Sequence, residues 1–172
     1  MNGPRVVLVG AMGAGKTTVG RLVADALGVG FLDTDEVVER DAGRSVSEIF
    51  IDDGEEHFRD LERRAVAESL VHHDGVLALG GGAVLDVTTR ELLDGHRVVF
   101  LRVGLSDAAK RVGLGVSRPL LLGNVRGRIK QLLDERTPIY EGVAQHAVDT
   151  DGLTAAEVAE RVRAVVEDEH HG

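Results

Sequence analysis

The chain reads as an α/β fold, a parallel sheet with helices on both faces, and three observations predict it. Apolar strand-like runs alternate with helical patterns along the whole length, and no repeat, low-complexity stretch or linker interrupts them. The first run, Val6-Val7-Leu8-Val9, feeds a glycine-rich turn and then a helix. The runs are continuously apolar rather than alternating, the pattern of strands buried on both faces. At 172 residues, with 43% hydrophobic side chains, one domain over residues 1–172 with a substantial core is expected.

Strands are expected over residues 5–9, 30–32, 75–79 and 97–102, with a short piece near 147–148. Helices are expected over 16–27, 35–41, 45–51, 55–71, 88–93, 106–112, 126–140 and 154–167. The first helix is carried by Val19, Leu22, Val23, Ala26 and Leu27, one apolar face at helical spacing. Ser45-x-x-Glu48 and Thr154-x-x-Glu157 have capping-box spacing, which marks two helix starts. Residues 113–127, rich in glycine and with a proline, read as a loop.

Composition narrows the function. A net charge of −9 argues against nucleic acid as a partner, because phosphate backbones require a basic surface. The absence of cysteine removes disulfides and thiolate metal sites and fits a reducing compartment. No stretch approaches the roughly 18 apolar residues that span a membrane, and no signal-peptide pattern precedes Arg5. A cytoplasmic protein with no membrane partner, working as a monomer, is the expectation. The pairs His72-His73 and His170-His171 lack metal-ligand spacing and read as solvated.

Residues 10 to 17, Gly-Ala-Met-Gly-Ala-Gly-Lys-Thr, fit G-x-x-x-x-G-K-[ST] between a strand and a helix. Gly10, Gly13 and Gly15 allow a tight turn whose N–H groups cradle phosphate oxygens, and the helix start favours anions. Lys16 supplies a point charge and Thr17 a hydroxyl for Mg²⁺. A nucleoside triphosphate is the implied ligand, held by Gly13, Ala14, Gly15, Lys16, Thr17 and Thr18.

The usual second strand ending in a metal-binding Asp is missing, since Val76-Leu77-Ala78-Leu79 runs into Gly80-Gly81-Gly82. Asp33 and Asp35 are the substitute acids, one toward the metal and one toward a substrate hydroxyl. Alternatively, Asp33 or Thr34 caps the next helix. The triple glycine reads as a floor for a small polar substrate or as a tight turn. Arg59 and Glu62 share a helix face, so Glu62 can orient Arg59 toward a carboxylate, or Arg59 is simply solvated. Arg118, in the glycine-rich loop, is placed to close over a triphosphate or to serve as an ordinary loop arginine.

In this order the motifs resemble those of the shikimate kinase family. The set is the P-loop, Asp33-Thr34-Asp35, Phe58-Arg59-x-x-Glu62, Gly80-Gly81-Gly82, Arg118-Pro119-Leu120-Leu121 and Arg136-x-Pro138-x-Tyr140. The resemblance covers nearly the whole chain. It implies a nucleoside-monophosphate-kinase-like fold with a five-stranded parallel sheet, a substrate-binding region near 33–62 and a mobile lid near 112–125. It implies transfer of the ATP γ-phosphoryl group to the 3-hydroxyl of shikimate, giving shikimate 3-phosphate on the route to chorismate and the aromatic amino acids. Lys16, Asp35 and Arg118 become the catalytic residues; Asp35, Arg59, Gly80, Gly81, Gly82 and Arg136 the shikimate site. Thr17 ligates Mg²⁺ with Asp33 behind a water, and Arg111 stands where the family often stacks an arginine on adenine. Asp149-Thr150-Asp151 resembles the adenine-side loop. The chain departs from the family at Val112-Gly113-Leu114-Gly115-Val116-Ser117, which is apolar where many relatives carry charge. A gluconate-kinase-like enzyme would share the P-loop without the acceptor motifs. A non-catalytic nucleotide-binding module would have lost the acids or the lid arginine.

Overall fold

Strand β1 (Val6–Val9) has no exposed residue, and its side chains divide between two apolar layers. Val6 and Leu8 face one layer while Val7 and Val9 face the other, as the period of two in a strand requires. The structure, a computed structural model, describes residues 3–11, 14–108, 110 and 125–170. Around β1 lie β2 (Phe31–Asp33), β3 (Val76–Ala78), β4 (Val98–Arg102) and β5 (His146–Asp149) in the order β2-β3-β1-β4-β5. Every pairing is parallel, so all carboxyl ends open on one edge.

On one face, α1 (Lys16–Leu27) and the C-terminal helix pack Val19, Val23, Val158 and Val162 against Leu8, Val76 and Leu101. On the other, α4 (Glu55–His72), α5 (Val87–Leu93) and a long helix bring Val66, Leu70, Leu93 and Tyr140 against Val7, Leu77 and Phe100. The long helix, α6, spans Val125–Val143 and the C-terminal one, α7, spans Ala155–His170. A third cluster joins α2 (Thr34–Ala42), α3 (Val46–Asp53) and α4 through Val37, Val38, Ile49 and Phe58. It sits beside β2, with Leu32 packed on it. This is the expected three-layer architecture.

The local signals explain the boundaries. Both capping boxes form: Glu48 N donates to Ser45 Oγ at 3.1 Å, and Glu157 N donates to Thr154 Oγ1 at 3.1 Å. The helix expected over 126–140 runs on to Val143 through Pro138, which removes one helical hydrogen bond without ending the helix. One element escapes the sequence reading, the 3₁₀ turn Ala83–Leu85 after the triple glycine. Three residues are too few to show a period. The part of the expected helix 106–112 that is described begins at residue 105.

Candidate active site

Three strand ends converge on the site. β1 leads to Gly10, where a side chain is forbidden because a Cβ would lie 2.7 Å from the Leu101 carbonyl oxygen. Gly15 is the N-cap of α1 with φ +89°, a left-handed conformation that favours glycine. It offers no side-chain acceptor, so the first N–H groups of α1 remain available to an anion. Lys16 Nζ donates to the carbonyls of Gly10 at 2.6 Å and Ala11 at 3.1 Å. Burial pulls its pKa down to about 8, against the pull of Asp33 and Asp35, with Arg136 adding to the lowering.

The Asp33 carboxylate is the helix cap that the sequence allowed, and its second oxygen is bonded to the P-loop helix. Its Oδ1 accepts from Asp35 N at 2.8 Å and caps α2, while Oδ2 accepts from Thr17 Oγ1 at 3.2 Å. One acid therefore ties the P-loop helix to the acceptor segment. Thr34, between the two acids, is fully buried, and its Oγ1 accepts from Gly80 N at 3.1 Å. Sequence reasoning treated Thr34 only as a possible cap. The order Asp33-Thr34-Asp35 carries no signal of that inward turn.

The triple glycine makes room for charge. A Cβ on Gly80 would stand 2.7 Å from Asp35 Oδ1 and 3.1 Å from Glu62 Oε2. One on Gly82 would stand 2.7 Å from an Arg59 guanidinium nitrogen. Gly81 contributes its carbonyl, which accepts from Tyr140 Oη at 2.5 Å. The glycine turn thus leaves space that the Asp35, Glu62 and Arg59 side chains occupy.

Asp35, pressed by burial and by the neighbouring Asp33 and Glu62 carboxylates, has its pKa pushed up to about 6. Glu62 is buried, and desolvation raises its pKa although Arg59 and Arg136 pull the other way. Arg59 Nη1 donates to Glu62 Oε1 at 2.8 Å, and its other terminal nitrogen reaches Glu55 at 3.4 Å. Burial opposes the guanidinium charge, but Glu62 and Glu55 together outweigh it and hold the pKa above the ordinary value. The Phe58 ring lies 5.4 Å from the guanidinium carbon. Arg59 is therefore oriented rather than loosely solvated. Arg136 on α6 is close enough to act on Lys16, Glu62 and Tyr140 together.

A cavity of about 290 Å³ joins the two halves, lined by Lys16, Thr17, Asp33, Asp35 and Gly80 among others. A second, of about 260 Å³, shares Gly15 and Thr18 with it and is walled by Ala14, Thr150, Leu153 and Val158. The Thr150 loop is tied to β4, with Thr150 Oγ1 donating to the Arg102 carbonyl at 2.9 Å and Arg102 Nε to Asp149 Oδ1 at 2.5 Å. Gly13, Arg111, Arg118 and the lid segment 112–124 lie outside the described residues. Among the described residues no group of three His, Cys, Asp or Glu could hold a metal by itself. None of the described helices is long and apolar enough to cross a membrane.

Comparison with known proteins points to one family. The family model for shikimate kinase matches residues 12–167. A shikimate kinase of Thermobifida fusca is 59% identical over 159 residues, 92% of each chain. The structure of an Acinetobacter baumannii shikimate kinase in complex with shikimate superposes with a TM-score of 0.89 and 35% identity, over 98% of this chain and 95% of that one. A gluconokinase from Sinorhizobium meliloti, at 19% identity and a TM-score of 0.60 over 95% of this chain and 91% of the other, shares the fold alone.

Proposed function

The chain belongs to the shikimate kinase family and transfers the γ-phosphoryl group of ATP to the 3-hydroxyl of shikimate, and from that premise we propose how its residues divide the work. The convergence of Asp35, the Arg59–Glu62 pair and Arg136 on a glycine floor beside Lys16 is the observation that carries the assignment. Shikimate has one carboxylate and three hydroxyls, which calls for arginine forks and an acid acceptor. Arg59 and Arg136 bind the carboxylate, with Gly80, Gly81 and Gly82 beneath the ring. Asp35 accepts the hydrogen bond of the reacting hydroxyl and takes its proton as the oxygen attacks phosphorus. The bond from the γ-phosphorus to the β,γ-bridging oxygen breaks as the new P–O bond forms, and ADP carries the electron pair away. With a pKa near 6, Asp35 is ionised at neutral pH yet basic enough to accept that proton. Lys16 neutralises phosphate charge, and Arg118 is assigned the same task from the lid.

The adenine belongs in the cavity between Thr18 and Leu153, with Arg111 as its stacking partner. Mg²⁺ fits the donor set, a threonine hydroxyl in contact with a carboxylate and no denser cage, because that ion keeps waters and substrate phosphates as ligands. Thr17 would hold it directly and Asp33 through a water. When bound, the ion supplies charge neutralisation at the phosphates. A monomer is proposed as the working unit. Single-domain organisation, with a substrate region at 33–62 and a lid at 112–125, and a cytoplasmic location complete the proposal.

The test is ADP release from ATP and Mg²⁺ with shikimate, gluconate or no acceptor, repeated with Arg59→Ala and Arg136→Ala. Stimulation by shikimate alone, with a raised shikimate KM in both variants, is expected. Equal rates with all acceptors, or unchanged KM values, would remove the residue assignments.

A further inference from the structure

The protein has a single tyrosine, and its ring and its hydroxyl are held by different parts of the fold. Tyr140 is 1% exposed, and its ring centroid lies 5.1 Å from that of Phe100 on β4. Phe100 is the register partner of Val9, the last residue of β1 before the P-loop. The hydroxyl, in contrast, reaches the acceptor floor and donates to the Gly81 carbonyl at 2.5 Å. Arg136 stands one helical turn before Tyr140 on α6, and its charge acts on the same hydroxyl, opposing the rise that burial imposes on the phenol.

We propose that Tyr140 is a positioning residue that fixes the Arg136 guanidinium relative to the triple-glycine floor. The inference rests on the reading of Arg136 as a shikimate ligand. A phenol has one proton and two lone pairs. With the proton committed to Gly81, the phenol keeps a lone pair for the guanidinium, and arginine has donors to give and nothing to accept with. The proposed tie therefore runs in one direction, from Arg136 to Tyr140 to Gly81.

Helix geometry makes the tie useful. Arg136 and Tyr140 are four residues apart on α6, so they stand on one face, one above the other. Between them Pro138 deletes a backbone donor, which weakens the hold of the helix on the turn that presents Arg136. Long arginine side chains lose considerable rotamer freedom when they grip a ligand. A guanidinium already restrained by Tyr140 loses less of it when shikimate arrives. A tyrosine serving the core alone would need only its ring.

Steady-state kinetics on the full chain separate these roles, using Tyr140→Phe, Arg136→Ala and the double variant with thermal melts of each. Tyr140→Phe keeps the ring stack and removes the hydroxyl. It is expected to raise the shikimate KM about five- to tenfold while ATP KM and kcat stay within about twofold. Arg136→Ala is expected to raise the shikimate KM further, and adding Tyr140→Phe to it should change that KM by less than about twofold. An unchanged shikimate KM in Tyr140→Phe overturns the proposal. So does a parallel loss in both substrates with a lowered Tm, or a full additional effect in the Arg136→Ala background. If Arg136→Ala itself leaves shikimate KM unchanged, Arg136 is no ligand and both readings fall. If only Tyr140→Phe is silent, the ligand role stands and the positioning role alone is lost.

Discussion

The donor and acceptor halves of the site are built by different physics. The donor half is backbone: glycines at Gly10 and Gly15, the open N-terminus of α1, and one contiguous motif that carries Lys16 and Thr17. The acceptor half is charge held by charge. Asp35, Arg59, Glu62 and Arg136 come from α2, α4 and α6, with Arg59 hydrogen-bonded to Glu62 and the other charges acting on one another across the glycine turn. On the proposed assignment, a backbone cradle recognises a phosphate chain that many enzymes share, whereas the side-chain cluster must recognise one ring. Damage on the acceptor side should therefore act mainly on shikimate and leave ATP nearly untouched.

The strongest way to break that distinction is Asp35→Asn. Turnover should fall by about 10²–10⁴-fold, the range for a lost general base, with ATP KM within about twofold. A comparable rise in ATP KM would mean that the halves are not separable. The same variant should melt at a higher temperature at pH 8. Because the folded pKa of Asp35 lies above its unfolded value, the native state binds the extra proton between about 4 and 6. Stability is lost as pH rises through that window, and the ionised carboxylate is a burden above it. Removing the charge should restore on the order of 1–2 kcal/mol, after discount for partial exposure. An unchanged or lower Tm at pH 8 would refute this cost.

Next comes Arg59→Ala, which leaves buried Glu62 without its partner and should cost about 2–5 kcal/mol in shikimate binding. Shikimate KM measured at saturating ATP reads it out, and parity with wild type would discard the carboxylate clamp. Gly82→Ala is a subtler intervention, since the new Cβ would press on the Arg59 guanidinium without removing it. A rise of about tenfold in shikimate KM with normal nucleotide binding is expected; wild-type behaviour would show that Arg59 can move at no cost.

The smallest effect belongs to the donor half. The pKa of Lys16 near 8 means that the free protein loses that charge as pH climbs past 8. ATP affinity, measured by titration calorimetry without shikimate, should weaken a few-fold between about pH 7 and 9 and be coupled to proton uptake at the upper end. Inorganic tripolyphosphate should follow the same curve, because the dependence lies in the phosphates and not the base. A flat profile would remove Lys16 as its source.

The same contrast explains what could be read without coordinates. The sheet, its burial and the P-loop are contiguous patterns: Val6 through Val9 are apolar because both faces are covered, and the glycines announce the turn that follows. The acceptor residues were legible only as separate motifs whose meeting had to be supplied by family resemblance. What stayed hidden was side-chain direction. Nothing in the order Asp33-Thr34-Asp35 says that Thr34 turns into the core to bond Gly80, or that Asp33 uses its two oxygens for two tasks. The Ala83–Leu85 turn was hidden for a different reason, since it is shorter than any period it could display.

Lys16 shows what the donor half does before any nucleotide arrives. Its ammonium is held by the Gly10 and Ala11 carbonyls, so the loop carries its own cation as an internal placeholder. The incoming phosphate thus takes over a cation already lodged at the mouth of β1 and meets part of the loop in its folded shape. Binding there is an exchange of partners more than an act of ordering, and the entropy that a slack loop would surrender has been spent during folding.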